Sequence, residues 1–549
     1  MKKSLLILSI LLVSLSSCSD WFDINESPNS VSKENVTMEL MLPGLQYNIV
    51  EYQANSTYGH MLAQHLTKSG VVSGSYPVIT GSFMPQNMDS WWSMYYSSNS
   101  DILQMYSKAV LADDKAFMAI SQVLFVMNTH RLVDIFGDAP YSESWKPNEI
   151  DAPAYDDGKT IYADLLVKLD EATTNLKAAI SAGYQTAKLS TVDIFCYGDL
   201  AQWVRFTNSL KLRLLMRESD VMDVKAQIAA IANDCIAADE DILVNPGFYV
   251  ESGKMNIFYE DFGWNKQGNQ VNSRKYYLPT ATVVDMLRDN NDPRLRVFID
   301  PRPELGNPND GSADYELFGL GNERYIGVPF GQLNPPDLDY TCKIGTGVLA
   351  GGSDLEAGKT KGSILMTGAE TSFLLAEAAL KGYIVGGDSK AKELYTAAVK
   401  ASFDRHSEAL ISDKFLDNDI MLPEITTTAI EAADSYLAQD SKFMNWNKMT
   451  SNSEKLAAIA AQKWLNFYAY NSVEAWSEYR RLGAPALKGS NSTPETKIMS
   501  RMLYPQSEMN ENTVKYEEHI AKIGEIDVFE SLVFWDKENG NVEKAEVYE

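Results

Sequence analysis

The stretch Gln462–Pro485, QKWLNFYAYNSVEAWSEYRRLGAP, admits few folds that are not helical. At about 100° per residue, Trp464, Phe467, Tyr468, Ala475, Trp476, Tyr479 and Leu482 fall on one half of a helical wheel. Lys463, Asn466, Glu474, Ser477 and Arg481 fall on the other, with Tyr470 among them. A wide apolar arc backed by charge predicts one helix packed on one side. Gly483, Ala484 and Pro485 then supply a stop signal. The aromatics are either core or a ligand platform, and this stretch alone leaves both open.

The same periodicity recurs along the chain. Ile161, Leu165, Leu169, Ala172, Leu176 and Ile180 are spaced by three and four, as are Trp203, Phe206, Leu210 and Leu214. Ala116–Phe136 is apolar and stops at Gly137-Asp138-Ala139-Pro140; Trp91–Met105, Ala369–Ile384, Ala391–His406 and Ser453–Leu482 also read as helical. Residues 245–368 differ. Gly, Pro and Asn cluster there, and the apolar residues alternate weakly, which predicts loops, short strands and a helix over Ala281–Arg288. The expected architecture is mainly α, with helix pairs around a loop-rich irregular insertion carrying short strands. Helix spacing near 40 residues invites a tetratricopeptide-like reading, but the W-x₂-L-G-x₂-Y pattern is absent, so such repeats are degenerate. Asp527–Glu549 reads as a polar tail with strand-like Val528, Phe529, Leu532, Val533 and Phe534.

At the N-terminus, Lys2 and Lys3 precede the apolar run Leu5–Leu15, and Ser16, Ser17 and Cys18 follow. This is the order of a secretory signal peptide over residues 1–17. The apolar run is too short for a bilayer core of about 30 Å. Leu15-Ser16-Ser17-Cys18 resembles a bacterial lipobox, in which Cys18 is acylated and becomes the new N-terminus. Polar residues 18–33 then read as a flexible tether to a body over 34–549. No later run is apolar enough to span a membrane. The remaining cysteines, Cys196, Cys235 and Cys342, are odd in number and predict no disulfide framework.

With 74 acidic and 48 basic residues the formal charge is −26, which disfavours nucleic acid and anionic membrane surfaces as partners. Catalytic and cofactor motifs fail on spacing. Gly345-Thr346-Gly347-Val348-Leu349-Ala350 satisfies G-x-G-x-x-A but runs on into Gly351-Gly352-Ser353, which predicts a flexible loop. Gly358-Lys359-Thr360 lacks the first glycine of a phosphate loop. His60 and His65 are five apart, not stacked as a metal pair, and Asp289–Asp292 reads as a turn. No catalytic residue, metal ligand or cofactor is expected.

Aromatic residues make up 11% of the chain, and aromatic faces stack on the C–H faces of sugars while amides bond the hydroxyls. The ligand-binding candidates are those in loops: Tyr76, Trp264 with Asn265, Tyr325 and Tyr340.

Seven stretches in order carry a resemblance: the Cys18 lipobox, HRLVDIFGDAPYSES (His130–Ser144), WVRFTNSLKLRLLMR (Trp203–Arg217), NDPRL (Asn291–Leu295), TGAETSFLLAEAALKGY (Thr367–Tyr383), Gln462–Pro485, and RMLYPQSEMNEN (Arg501–Asn512). Together they are similar to the SusD/RagB family of nutrient-binding outer-membrane lipoproteins, in its SusD-like, starch-binding-associated branch. The resemblance implies a lid over a SusC-like TonB-dependent transporter, passing on an oligosaccharide or, in some members, a peptide, without chemistry. A lipid-anchored glycoside hydrolase is the reading from a different class. The family's ligand residues do not transfer to fixed positions. Arg213, Arg217, Glu370, Glu377, Arg480 and Arg481 are expected to form buried ion pairs between helices.

Overall fold

Several of the long helices begin where the sequence supplies a side-chain oxygen to accept the first free backbone N–H groups. Asp114 accepts from Phe117 N, Asp157 from Lys159 N, Asp199 from Ala201 N and Gln202 N, and Thr367 from Glu370 N. Ser451 and Glu454 form a reciprocal capping box. A computed structural model describes residues 36–54, 57–69, 76–146, 149–302, 324–332, 341–350, 356–411, 428–493 and 498–537. The predicted signal peptide, Cys18 and the tether lie outside the described residues, as does Tyr340.

The fold is mainly α. The principal helices are α1 (Met38–Ala54), α2 (Asp89–Leu111), α3 (Lys115–Phe136), α4 (Gly158–Ser181), α5 (Leu200–Glu218), α6 (Gly368–Leu380), α7 (Gly387–Asp404), α8 (Asn452–Asn466) and α9 (Ser472–Leu482). Neighbours in sequence pack as pairs, α2 on α3, α3 on α4, α4 on α5, α6 on α7 and α8 on α9, while α6 also packs against α5 and α8. Helix α6 is therefore covered on nearly all sides. Its first residue, Gly368, passes so close to the Ala237 carbonyl that a Cβ would sit 1.8 Å from the oxygen, which excludes any other residue.

Residues 462–485 depart from expectation in two ways. They form two helices, not one, broken at Phe467–Asn471 where Ala469 adopts φ +68°. The charged half of the wheel is also buried: Lys463, Asn466, Glu474, Ser477 and Arg481 all lie inside. The reason is a network of ion pairs. The Arg213 guanidinium binds Glu370 at 2.7 and 2.9 Å, and Arg217 reaches Asp134 at 2.7 Å, Glu474, and Glu478 at 3.2 Å. Arg481 binds Glu377 at 2.5 and 2.6 Å, and Lys463 bonds Glu478. These contacts fasten α3, α5, α6, α8 and α9 together. Arg480 donates to the Ser500 and Asp134 carbonyls and lies 3.6 Å from the Trp476 ring centroid. Trp464, Tyr468, Trp476 and Tyr479 are buried, which makes them core and not a ligand platform.

Short antiparallel ladders tie the irregular region to the helices. Leu66–Lys68 pairs with Tyr277–Pro279, Ile242–Val244 with Ser363–Met366, and Ile299–Asp300 with Lys343–Ile344. The predicted helix appears as Ala281–Asp289. The expected loop after Gly345 is corrected: Thr346–Leu349 forms one helical turn, fixed by Asp300, which accepts from Thr346 N and Oγ1. The strand-like residues near the C-terminus instead form turns between Asp527 and Asp536, where Phe529 N and Glu530 N donate to the Asp527 carboxylate and Ser531 N to its carbonyl. Asp292 ends its turn in a buried pair with Arg294 at 2.6 Å. Cys196 and Cys342 are buried thiols and Cys235 is half-buried; none of the three is in a disulfide.

Candidate functional site

The ladder between Leu66–Lys68 and Tyr277–Pro279 places Tyr277 beside the N-terminal segment, and a cluster of half-exposed rings forms around it. Tyr76 precedes the short helix Pro77–Thr80, whose proline has a preset φ that opens the turn. Gly81 closes that helix in the left-handed region, at φ +68°, and returns the chain so that Phe83 approaches Tyr58. The Tyr58 ring lies 5.9 Å from Tyr76, 6.2 Å from Phe83 and 5.9 Å from Trp91, centroid to centroid. Adjacent residues on α2 point about 100° apart, so Trp92 goes to the core against Phe136 and Tyr504 while Trp91 stays in the cluster.

Polar groups complete this surface. The Tyr76 and Tyr277 hydroxyls are 2.5 Å apart. The Lys68 ammonium sits 3.8 Å from the Tyr76 ring centroid, a cation over an electron-rich face. Burial pushes the Tyr277 and Tyr58 phenols up, with Tyr76 as a further cause, and lowers the Lys68 ammonium. Tyr58, Tyr76, Phe83 and Trp91 thus make a tilted, ridged apolar surface with a cation and two hydroxyls at its base. It can stack a ring and bond its substituents.

The other sequence candidates lie elsewhere. Trp264 is half-buried, with its ring 5.8 Å from Tyr259 and the Arg274 guanidinium 4.2 Å from its centroid. The Asn265 side-chain oxygen accepts from Gln267 N and Asn269 N, closing the loop whose ends meet at the Trp264–Gln270 bridge. Tyr325 is half-buried, its carbonyl accepts from Arg288, and burial pushes its phenol up to about 12. No ring contact joins Trp264 or Tyr325 to Tyr76 among the described residues. Sequence reasoning missed Tyr58 and Lys68. Tyr58 begins a helical pattern that ends in buried His60 and Met61, and only the strand pairing at Lys68 reveals its place.

The fold is that of helix-paired outer-membrane binding lipoproteins. The chain belongs to the SusD-like family, whose model, described as Susd and RagB outer membrane lipoprotein, matches residues 23–536. Among solved structures it is similar to a chitin-binding SusD homologue from Flavobacterium johnsoniae, 23% identical over 92% of this chain and 100% of that one, with a TM-score of 0.68. SusD homologues from Bacteroides vulgatus (21%, 91% and 98%, 0.67) and Bacteroides thetaiotaomicron (21%, 92% and 100%, 0.65) are also similar. At these identities the likeness is one of fold. No curated protein matches the sequence. Among the described residues, no helix is long and apolar enough to cross a membrane.

Proposed function

We propose that this protein is a surface glycan-binding lipoprotein whose ligand stacks on Tyr58, Tyr76, Phe83 and Trp91. The observation that carries the reading is the contiguity of these four half-exposed rings beside the Lys68 ammonium and the Tyr76–Tyr277 hydroxyl pair, whereas Trp203, Trp464, Trp476 and Trp535 are buried. Aromatic faces held rigidly by a scaffold bind sugar rings at low entropic cost. The Lys68 ammonium and the Tyr76–Tyr277 hydroxyl pair supply the polar contacts. A chitin-binding homologue of the same fold supports an oligosaccharide or polysaccharide as the ligand class.

Family membership supports the rest. Cys18 would carry the lipid, residues 18–33 would tether the body outside the outer membrane, and a SusC-like TonB-dependent transporter would receive the glycan. A tether holds the binder near the pore at high effective concentration. The role is binding without turnover.

Affinity gel electrophoresis against a polysaccharide panel, with product analysis of the same mixtures, tests this. Retarded migration on at least one glycan, lost in Trp91→Ala and Tyr76→Ala, is the expected result. Retention of full binding in both variants would show the platform to be wrong, and released oligosaccharide would show the protein to be a hydrolase.

A further inference from the structure

A cavity of about 460 Å³ lies where the irregular region meets the helical body. Its walls include Phe258, Ala350 and Lys361 on one side and Arg405, His406 and Tyr470 on the other. None of the residues of the Tyr58–Trp91 cluster lines it. The size falls within the roughly 300–1,000 Å³ of small-ligand sites.

The charges around it are unequal. Arg405 is matched: it binds Asp241 through Nε at 2.7 Å and Nη2 at 3.3 Å, and gives its remaining Nη1 to Asn466 at 2.8 Å. Lys361 is not matched. Its ammonium donates to the Val348 carbonyl and, at 3.1 Å, to that of Ala350, and no carboxylate pairs with it among the described residues. Protein surrounds this side chain, yet part of its surface stays accessible, as for a group on a cavity wall. Burial brings the ammonium down to about 8, so at pH 7 it is still mostly charged. His406 is held neutral by burial and by the neighbouring Arg405 and Lys361 charges. Among the described lining residues Glu408 alone carries a carboxylate, and it is exposed to solvent.

A cation enclosed by protein without an anion is costly, and in a chain of net charge −26 it is conspicuous. A ligand carboxylate would supply the missing counter-charge. Phe258, His406 and Tyr470 line the same space. Aromatic residues on a cavity wall suit the C–H faces of a sugar ring. We infer that this cavity binds an acidic sugar unit, its carboxylate on the Lys361 ammonium and its ring against Phe258, His406 and Tyr470. The site is separate from the stacking platform and does not depend on it.

Calorimetry on the full chain tests this with D-glucuronate, D-glucose and N-acetylglycine as probes. Glucuronate should bind, and the other two at least about tenfold more weakly. Lys361→Gln should weaken glucuronate by at least about tenfold, Lys361→Arg should largely retain it, and Trp91→Ala should leave it unchanged. Equal affinity for glucose would remove the role of the charge. Equal affinity for N-acetylglycine would make the site a general carboxylate site and overturn the sugar. Should Lys361→Gln not fold, a crystal of the unaltered protein soaked in glucuronate gives the same decision. A carboxylate within hydrogen-bond distance of Lys361 Nζ supports the assignment, and an empty cavity at saturating ligand refutes it.

Discussion

Arg481 and Glu377 meet through two parallel hydrogen bonds, Nη1 to Oε1 at 2.5 Å and Nη2 to Oε2 at 2.6 Å, with both side chains buried and 104 positions between them. This pair joins α9 to α6, and Glu478 and Lys463 extend it to α8. Buried pairs contribute little relative to an apolar replacement, but removing one partner strands the other charge. Arg481→Ala should therefore lower stability by about 3–5 kcal/mol, measured by urea unfolding at pH 7. Arg481→Ala with Glu377→Ala together should cost less than the sum of the two single changes.

The same pair makes a pH prediction. Burial pushes the Glu377 carboxyl upward, and the Arg481, Lys381 and Lys463 charges outweigh it, holding the group at about 2 against an ordinary 4.5. A depressed folded-state value means the native state gives up its proton more readily than the unfolded chain. The stability from this group is complete above pH 4.5 and is lost as pH falls towards 2. Glu377→Gln should flatten the acid limb of the stability–pH curve over that window.

Glu218 predicts the opposite slope. Burial pushes its carboxyl up to about 7, only partly opposed by Lys159. Here the folded state holds the proton more tightly, so stability should fall as pH rises from 4.5 to 7. Glu218→Gln should raise the melting temperature at pH 8 and change it little at pH 4.

Trp476 is fully buried and its indole N–H donates to the Met499 carbonyl at 2.8 Å. Trp476→Ala should cost about 3–5 kcal/mol of stability, through the cavity and the orphaned carbonyl, while glycan selectivity stays the same. Altered selectivity in a folded variant would return this helix to the ligand site.

Trp91→Ala should do the reverse. The ring is half-exposed at the start of α2, so the change should shift stability by less than about 1 kcal/mol and abolish glycan retardation. Trp264→Ala, whose ring is held under Arg274, should leave retardation unaltered.

Much of the helical body was legible in the sequence, because spacing of three and four and a capping oxygen are local properties. In the structure Asp114, Asp157, Asp199 and Ser451 cap helices that this spacing predicted. The break at Ala469 was not legible, since no glycine or proline announces it. It arises where Asn466 and Tyr470 dock onto Thr367, and Trp464 donates to the Ala63 carbonyl, so distant contacts stabilise a left-handed alanine. The buried charges of Lys463 and Glu474 looked like a solvated face for a related reason. Their partners sit on α5, α6 and elsewhere in the bundle, and a helical wheel contains no information about other helices.

By itself the sequence determined the helix pairs, the family and the kind of surface a ligand would need. Only the tertiary structure decided which aromatics stand together. Tyr58, Tyr76 and Trp91 come from a short helix, a cap and a long helix, and the strand pairing of Leu66–Lys68 with Tyr277–Pro279 brings Tyr277 to the same place. It alone placed the Lys361 ammonium on a cavity wall with no carboxylate partner among the described residues. Periodicity is fixed by neighbours in the chain, whereas a ligand surface is fixed by neighbours in space.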